Sequence, residues 1–177
     1  MQKAVILDRD GTLIIDKIYL NDPKQVFYYP DVFEALRLLR DHQFIFIGAT
    51  NQSGVARGLV EIDKLYQIHE KIRADMAYEG IDFREIYYAP YMTETKHFIR
   101  KPQPGMILRA AYDYNLDLKK SWMVGDRMID VEAGHRAGCR SAMVGFTESP
   151  QHTKFRSPEI YAETLLEVAQ QIVKYSD

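Results

Sequence analysis

Ala4-Val5-Ile6-Leu7-Asp8-Arg9-Asp10-Gly11-Thr12 is the stretch on which the fold turns. A short apolar run stopped by an aspartate reads as a buried strand. The polar residues that follow carry two carboxylates separated by one residue. As the chain leaves a strand, both can face a common site, where one can attack phosphorus while the other moves a proton. Gly11 permits a sharp turn and exposes backbone amides. Asp and Gly are also common in ordinary turns, and an isolated D-x-D-G-T fits that description equally well. Its place at the end of the first apolar run shifts the balance toward chemistry.

Outward from this stretch, strand and helix patterns alternate. Asp31 and Glu34 have capping-box spacing before a helix with Val32, Leu36 and Leu39 on one face. Phe44 to Gly48 is a second apolar strand, ending at Ala49-Thr50, and a helical pattern runs from about Ile62 to Tyr78. Glu85 to Ala89 reads as a third strand, and Pro90 to Pro104 as a loop. Pro104 suits the first turn of a helix reaching Tyr114. Trp122 to Val124 is a strand, Met128 to Ala137 a helix ended by Gly138, Ser141 to Val144 a strand, and Pro158 to Tyr175 a final amphipathic helix. There is no internal repeat and no interdomain linker, so one domain over residues 1–177 is expected. The alternation predicts an α/β fold: a three-layer, Rossmann-like parallel sheet with helices on both faces. In such folds ligands sit beyond the carboxyl ends of the strands.

Three further polar clusters fall where that rule places a site. Thr50-Asn51-Gln52-Ser53-Gly54 follows the second strand, with hydroxyl, amide and backbone donors able to hold phosphoryl oxygens. Arg100-Lys101-Pro102 lies in the long loop, where Lys101 can offset phosphoryl charge and Arg100 can make a forked contact. In Gly125-Asp126-Arg127-Met128-Ile129-Asp130, Asp126 can hold a hard cation and Asp130 can orient a neighbour. Alone, each also fits a polar loop, a solvated basic pair or a helix cap. Together they form one chemical set: nucleophile, proton donor, oxyanion binders, cation and metal ligand.

Composition narrows the alternatives. With 23 basic and 25 acidic residues and a net charge of -2, the chain has no global field for nucleic acid or an anionic membrane. The basic residues are dispersed, so nucleic acid is not expected as a partner. The single cysteine, Cys139, excludes an internal disulfide and argues against a thiolate zinc site. No signal peptide is read before the first strand, and no apolar run approaches ~18 residues. A cytoplasmic, monomeric protein without membrane attachment is the expectation. His42, His69, His135 and His152 form no paired metal spacing and are expected on the surface or on helix faces. Tyr28-Tyr29 and Tyr87-Tyr88 are expected to serve packing.

The ordered set D-R-D-G-T at 8 to 12, T-N-Q-S-G at 50 to 54, R-K-P at 100 to 102 and G-D-R-x-x-D at 125 to 130 resembles the haloacid dehalogenase superfamily. T-N-Q-S-G-V-A-R-G, the Tyr-Tyr-x-Pro at 87 to 90 and R-K-P-x-P-G-M at 100 to 106 are similar to its capless sugar-phosphatase group. That group includes heptose bisphosphate phosphatases of lipopolysaccharide-precursor synthesis and histidinol-phosphate phosphatases. The short spacings from Asp8 to Thr50 and from Gly54 to Lys101 leave no room for a large cap domain. The resemblance implies a Mg2+-dependent phosphatase acting on a small phosphorylated substrate, with a sugar bisphosphate favoured. It implies Asp8 as nucleophile, Asp10 as acid and base, and Thr50 and Lys101 as phosphoryl binders. It implies magnesium held by Asp8, the Asp10 main-chain carbonyl and Asp126. Asp16, Tyr19, Asn51, Gln52, Ser53, Arg100 and Arg127 match substrate-contacting positions. A group of Arg9, Arg57, Arg100 and Arg127 is expected to hold a second anion.

Relatives often carry a zinc loop before R-K-P. Here its ligand places are Ala89, Tyr91, His97 and Ile99, so no structural zinc is expected and the loop must be ordered by packing or be mobile. Arg127 stands where a lysine is usual in the heptose enzymes. Two other classes stay open on sequence alone. A receiver-type signalling domain would also present an aspartate, a hydroxyl and a lysine, but the D-x-D pair brings its own acid and base. A silent binding protein would not need the complete set.

Overall fold

Strand β1 (Ala4–Leu7) is buried along its whole length. Successive side chains of a strand point to opposite faces. Val5 and Leu7 accordingly join one apolar cluster, and Ala4 and Ile6 join another. A strand that is apolar on both faces requires a layer of helices on each. The computed structural model, which describes residues 1–145, 148–150 and 154–176, has that arrangement.

The other strands are β2 (Ile45–Asn51), β3 (Phe83–Ala89), β4 (Trp122–Gly125), β5 (Arg140–Val144) and β6 (Ile160–Ala162). All pair parallel, in the order β3-β2-β1-β4-β5-β6. The helices are α1 (Val32–Asp41), α2 (Ser53–Ala56), α3 (Ile62–Tyr78), α4 (Gly105–Tyr114), α5 (Met128–Ala137) and α6 (Leu165–Ser176). Helices α1, α3 and α6 supply the cluster on the Val5/Leu7 face, with Leu36, Ile72 and Val168 fully buried. Helices α4 and α5 supply the other, through Met106, Ile107, Ala110 and Ala133. Each large apolar side chain removed from water in this way is worth about 1.5–3 kcal/mol.

Strand order runs one way from β1 to β2 and β3, then resumes on the other side of β1 with β4, β5 and β6. The crevice at that reversal lies beyond the ends of β1 and β4, where Asp8 and Asp126 emerge. Between β1 and α1 the only regular element is a 3-10 turn, Pro23–Gln25, and between β2 and α3 only α2. No large cap stands over the strand ends among the described residues. No helix among them is long and apolar enough to cross a membrane.

Two local expectations are corrected. The Asp31/Glu34 capping box does not form. Asp31 has helical backbone angles (φ −97°, ψ −3°) and makes no side-chain cap bond to α1. Its carboxylate instead accepts from the Leu166 amide at 2.7 Å, capping the start of α6. The tail is not one helix from Pro158. Residues Ile160–Ala162 pair with β5, and α6 begins only at Leu165. A strand of three residues is too short for its alternation to stand out from a helical window. His152 lies outside the described residues.

Candidate active site

Asp8 is the first residue past β1, and its amide donates to the Val124 carbonyl of β4 at 2.9 Å. That bond fixes the carboxylate at the strand-order reversal. Lys101 approaches from the loop before α4. Its Nζ lies 2.7 Å from Asp8 Oδ1 and 2.6 Å from Asp130 Oδ1, and it donates to the Ala49 carbonyl at 2.6 Å. Three acceptors meet the three N–H donors of a lysine ammonium. Burial works to lower the Lys101 pKa, but the Asp130 and Asp8 carboxylates outweigh it and hold the pKa above the usual lysine value.

Asp126 follows β4 and presses against Gly11. A Cβ on Gly11 would stand 2.4 Å from Asp126 Oδ2, and the glycine also has φ +82°. Both facts demand glycine at this position. Carboxylate oxygens of Asp8, Asp126 and Asp130 all lie within 4.8 Å of one another. Burial, reinforced by the Asp130 and Asp8 charges, pushes the Asp126 carboxyl up to about 7. Burial also raises Asp8, against the pull of Lys101. Three converging carboxylates with one ammonium form an all-oxygen, net-negative cluster, and its chemistry fits a hard divalent cation. Asp130 accepts from the Arg127 amide at 3.1 Å as well as pairing with Lys101, so it steadies the lysine as expected of a neighbour-orienting residue.

Asp10 has different company. The Arg9 guanidinium grips its carboxylate through Nε (3.0 Å) and Nη2 (3.1 Å), and the Gln52 amide donates to it at 2.9 Å. Burial raises the Asp10 pKa, while Arg9 opposes the rise. Gln52 also donates to Thr50 Oγ1 at 2.8 Å, tying the end of β2 to the Asp10 carboxylate.

A cavity of about 380 Å³ opens here. Asp8, Asp10, Asp16, Tyr19, Thr50, Asn51, Gln52, Ser53 and Arg127 line it. Of the residues singled out in the sequence, Arg57, Arg100, Lys101, Asp126 and Asp130 are not on this wall. Arg100 turns away from it. Its guanidinium donates to the Tyr91 carbonyl (3.2 Å) and Thr93 Oγ1 (3.0 Å) in its own loop. Asn51 lines the cavity, yet its amide group is paired with the Lys101 main chain, donating at 3.0 Å and accepting at 3.0 Å. Arg9 also lines the cavity, but it is 1% exposed and its guanidinium is held by Asp10 and His69. Burial lowers the Arg100 pKa, the Glu94 carboxylate opposes it, and the nearby Arg57 charge adds to the fall.

The loop at 90–104 is ordered by packing. The Tyr91 and His97 rings stack at 3.9 Å, Ile99 packs on the α4 cluster, and the Gly105 amide donates to the Phe98 carbonyl at 3.1 Å. Sequence reasoning missed the place of His69. It is 5% exposed and contacts Arg9, 60 residues away in the chain. The period of α3 carried the signal, since Leu65, Ile68, Ile72 and Met76 form the buried stripe on which His69 falls. His135 likewise pairs with Glu159 at 3.0 Å.

Comparison with known proteins fits this geometry. Residues 98–168 match the HAD-hydrolase-like family model. A D-glycero-beta-D-manno-heptose-1,7-bisphosphate 7-phosphatase of Pasteurella multocida is 38% identical over 156 residues, covering 85% of each chain. The chain belongs to the haloacid dehalogenase-like hydrolases. This haloacid dehalogenase-like hydrolase is also 31% identical to a D-glycero-alpha-D-manno-heptose-1,7-bisphosphate 7-phosphatase of Campylobacter jejuni, over 87% of this chain and 88% of that one. Among solved structures it is similar to the D,D-heptose 1,7-bisphosphate phosphatase of B. bronchiseptica complexed with magnesium and phosphate. The TM-score is 0.88 at 30% identity, over 98% of this chain and 99% of that one.

Proposed function

We propose that this hydrolase removes one phosphate from a D-glycero-D-manno-heptose 1,7-bisphosphate, at the 7-position, with magnesium and through a phospho-aspartate on Asp8. The observation that carries the reading is the Lys101 ammonium set between Asp8 and Asp130, beside Asp126, at the strand-order reversal. That arrangement presents a carboxylate nucleophile with its counter-charge already placed. The heptose follows from relatives of 31–38% identity that bear that name.

The residues divide the reaction in two. An Asp8 carboxylate oxygen bonds to phosphorus as the bond from phosphorus to the sugar oxygen breaks, and Asp10 gives its proton to that oxygen. Asp10 then takes a proton from water, whose oxygen attacks the phosphoryl group and releases inorganic phosphate and free Asp8. Thr50 and Lys101 steady the phosphoryl oxygens, Lys101 as a compact charge. Asp8, the Asp10 main-chain carbonyl and Asp126 would hold magnesium, which supplies fixed positive charge against the charge on the phosphoryl oxygens. Asp16, Tyr19, Gln52, Ser53 and Arg127 border the sugar, and Arg57 with Arg100 would meet the distal phosphate at the rim. One copy of the chain contains the whole set, so a monomer suffices.

The test is phosphate release from both heptose 1,7-bisphosphate anomers, histidinol phosphate, other sugar phosphates and a 3'-phosphorylated oligonucleotide, with magnesium and with EDTA. Preference for a heptose bisphosphate, lost in EDTA, is the expected result. Preference for histidinol phosphate would replace the substrate, and activity surviving exhaustive chelation would overturn the metal.

A further inference from the structure

Arg9 is a fully buried cation that stands between the nucleophile and the acid in the sequence and turns its guanidinium to the acid. Its Nε and Nη2 grip Asp10. Its third nitrogen, Nη1, lies 3.2 Å from Nε2 of His69. A guanidinium can only donate, so His69 must accept. The acceptor nitrogen is therefore unprotonated, and the ring carries its single proton on Nδ1. Burial, and then the Arg9 charge, lower the His69 pKa to about 3, which keeps the ring neutral as this contact requires.

His69 is itself held. Its ring meets Tyr88 edge-on at 6.0 Å, and the Tyr88 hydroxyl lies 2.8 Å from that of Tyr66. The contact to Nη1 fixes the rotation of the guanidinium, and with it the fork on Asp10. Without an acceptor there, a buried N–H donor goes unsatisfied and the guanidinium gains a reason to tilt. Asp10 must place one proton on one oxygen, and displacement by the order of 1 Å can cost about 100-fold in rate.

We propose that His69 is a positioning residue for proton transfer, acting through Arg9 to aim the Asp10 carboxyl at the leaving oxygen. This rests on the phosphatase reading above and adds a residue outside the cavity wall to it. An apolar packing role for His69 makes a different prediction, because Phe would then replace it without altering the chemistry.

The experiment compares wild type, His69→Phe and His69→Gln on two substrates. One is a sugar phosphate, whose alkoxide leaving group needs a proton. The other is 4-nitrophenyl phosphate, whose leaving group needs little help. In His69→Phe, kcat on the sugar phosphate should fall about 10- to 100-fold with KM within about 3-fold, and 4-nitrophenyl phosphate should fall less than about 3-fold. His69→Gln, with a carbonyl acceptor, should recover most of the loss. Equal losses on both substrates, or wild-type rates in a folded His69→Phe protein, would overturn the proposal. If His69→Phe does not fold, nitrogen-15 spectra of the wild type decide. A proton on Nδ1 with bare Nε2 supports the relay, and a proton on Nε2 ends it. A wild type inactive on every phosphomonoester removes the functional reading itself. An active wild type whose variant keeps the same leaving-group dependence removes only the role of His69.

Discussion

Asp8 and Asp10 stand one residue apart in surroundings that differ in kind. On the Asp8 side, three carboxylates share one ammonium, so negative charge is in excess. On the Asp10 side, one carboxylate is matched by one buried guanidinium and an amide. The first region resembles half of an ionic site and gains from a divalent cation. The second is electrically closed and gains from none. A nucleophile that must approach an anionic phosphoryl group needs the first kind of region. A group that must hold and release one proton in a fixed direction needs the second.

The largest effects should separate the two by chemistry. Asp8→Asn removes the carboxylate proposed as nucleophile, and turnover of every substrate should fall by roughly 10⁴-fold or more, as when a covalent nucleophile is lost. Near-normal phosphate release from a folded Asp8→Asn protein would end the assignment. Asp10→Asn should cost about 10²- to 10⁴-fold on a sugar phosphate and far less on 4-nitrophenyl phosphate. Uniform loss across both would mean that Asp10 also serves the attack step, and the distinction between the regions would collapse.

The charge imbalance should also show in stability. The Asp126 carboxyl is raised from 3.8 to about 7, chiefly by burial and then by Asp130 and Asp8. A raised carboxyl binds its proton more tightly in the folded state than in the unfolded one. Its contribution is full below pH about 4 and is lost as pH rises through about 7, at a rate of at most about 1.4 kcal/mol per pH unit. Metal-free protein should therefore lose Tm between about pH 4 and 7, and magnesium should restore it by binding the folded state. Asp126→Asn should flatten the metal-free profile and remove most of the response to magnesium. A Tm that rises with pH in EDTA would contradict the charge reading of this region.

How much of this was readable in the sequence depended on distance along the chain. Strand ends are visible as apolar runs stopped by polar residues, so Asp8, Thr50 and Asp126 could be placed at one sheet edge before any coordinates. The supporting contacts could not. Asn51 clasps Lys101 across 50 residues, His69 meets Arg9 across 60, and Asp31 caps α6 across 135. Each uses a side chain whose local spacing offered a nearer partner or none. The Asp31/Glu34 spacing was a local signal overridden by such a contact. The burial of Arg9 and its grip on Asp10 were hidden for the same reason, since the fork depends on a contact to a residue 60 positions away.

Asn51 joins the two regions and supplies the smallest of these tests. It ends β2 next to Gln52, which grips Asp10, while its own amide makes two hydrogen bonds to the Lys101 main chain. Each such bond is worth about 0.5–1.5 kcal/mol, so Asn51→Ala should lower stability by about 1–3 kcal/mol. Slack there moves the Lys101 ammonium relative to Asp8 without touching Arg9 or His69. The expected result is a loss of kcat of about 10-fold on sugar phosphate and 4-nitrophenyl phosphate alike, because the role proposed for Lys101, toward the phosphoryl group, does not depend on the leaving group. Asn51→Asp keeps an acceptor for the Lys101 amide but turns a carboxylate toward the Lys101 carbonyl, so it should not restore the rate. A loss confined to the sugar phosphate would instead place Asn51 with the Asp10 region, and the boundary between the two would have to be redrawn through β2.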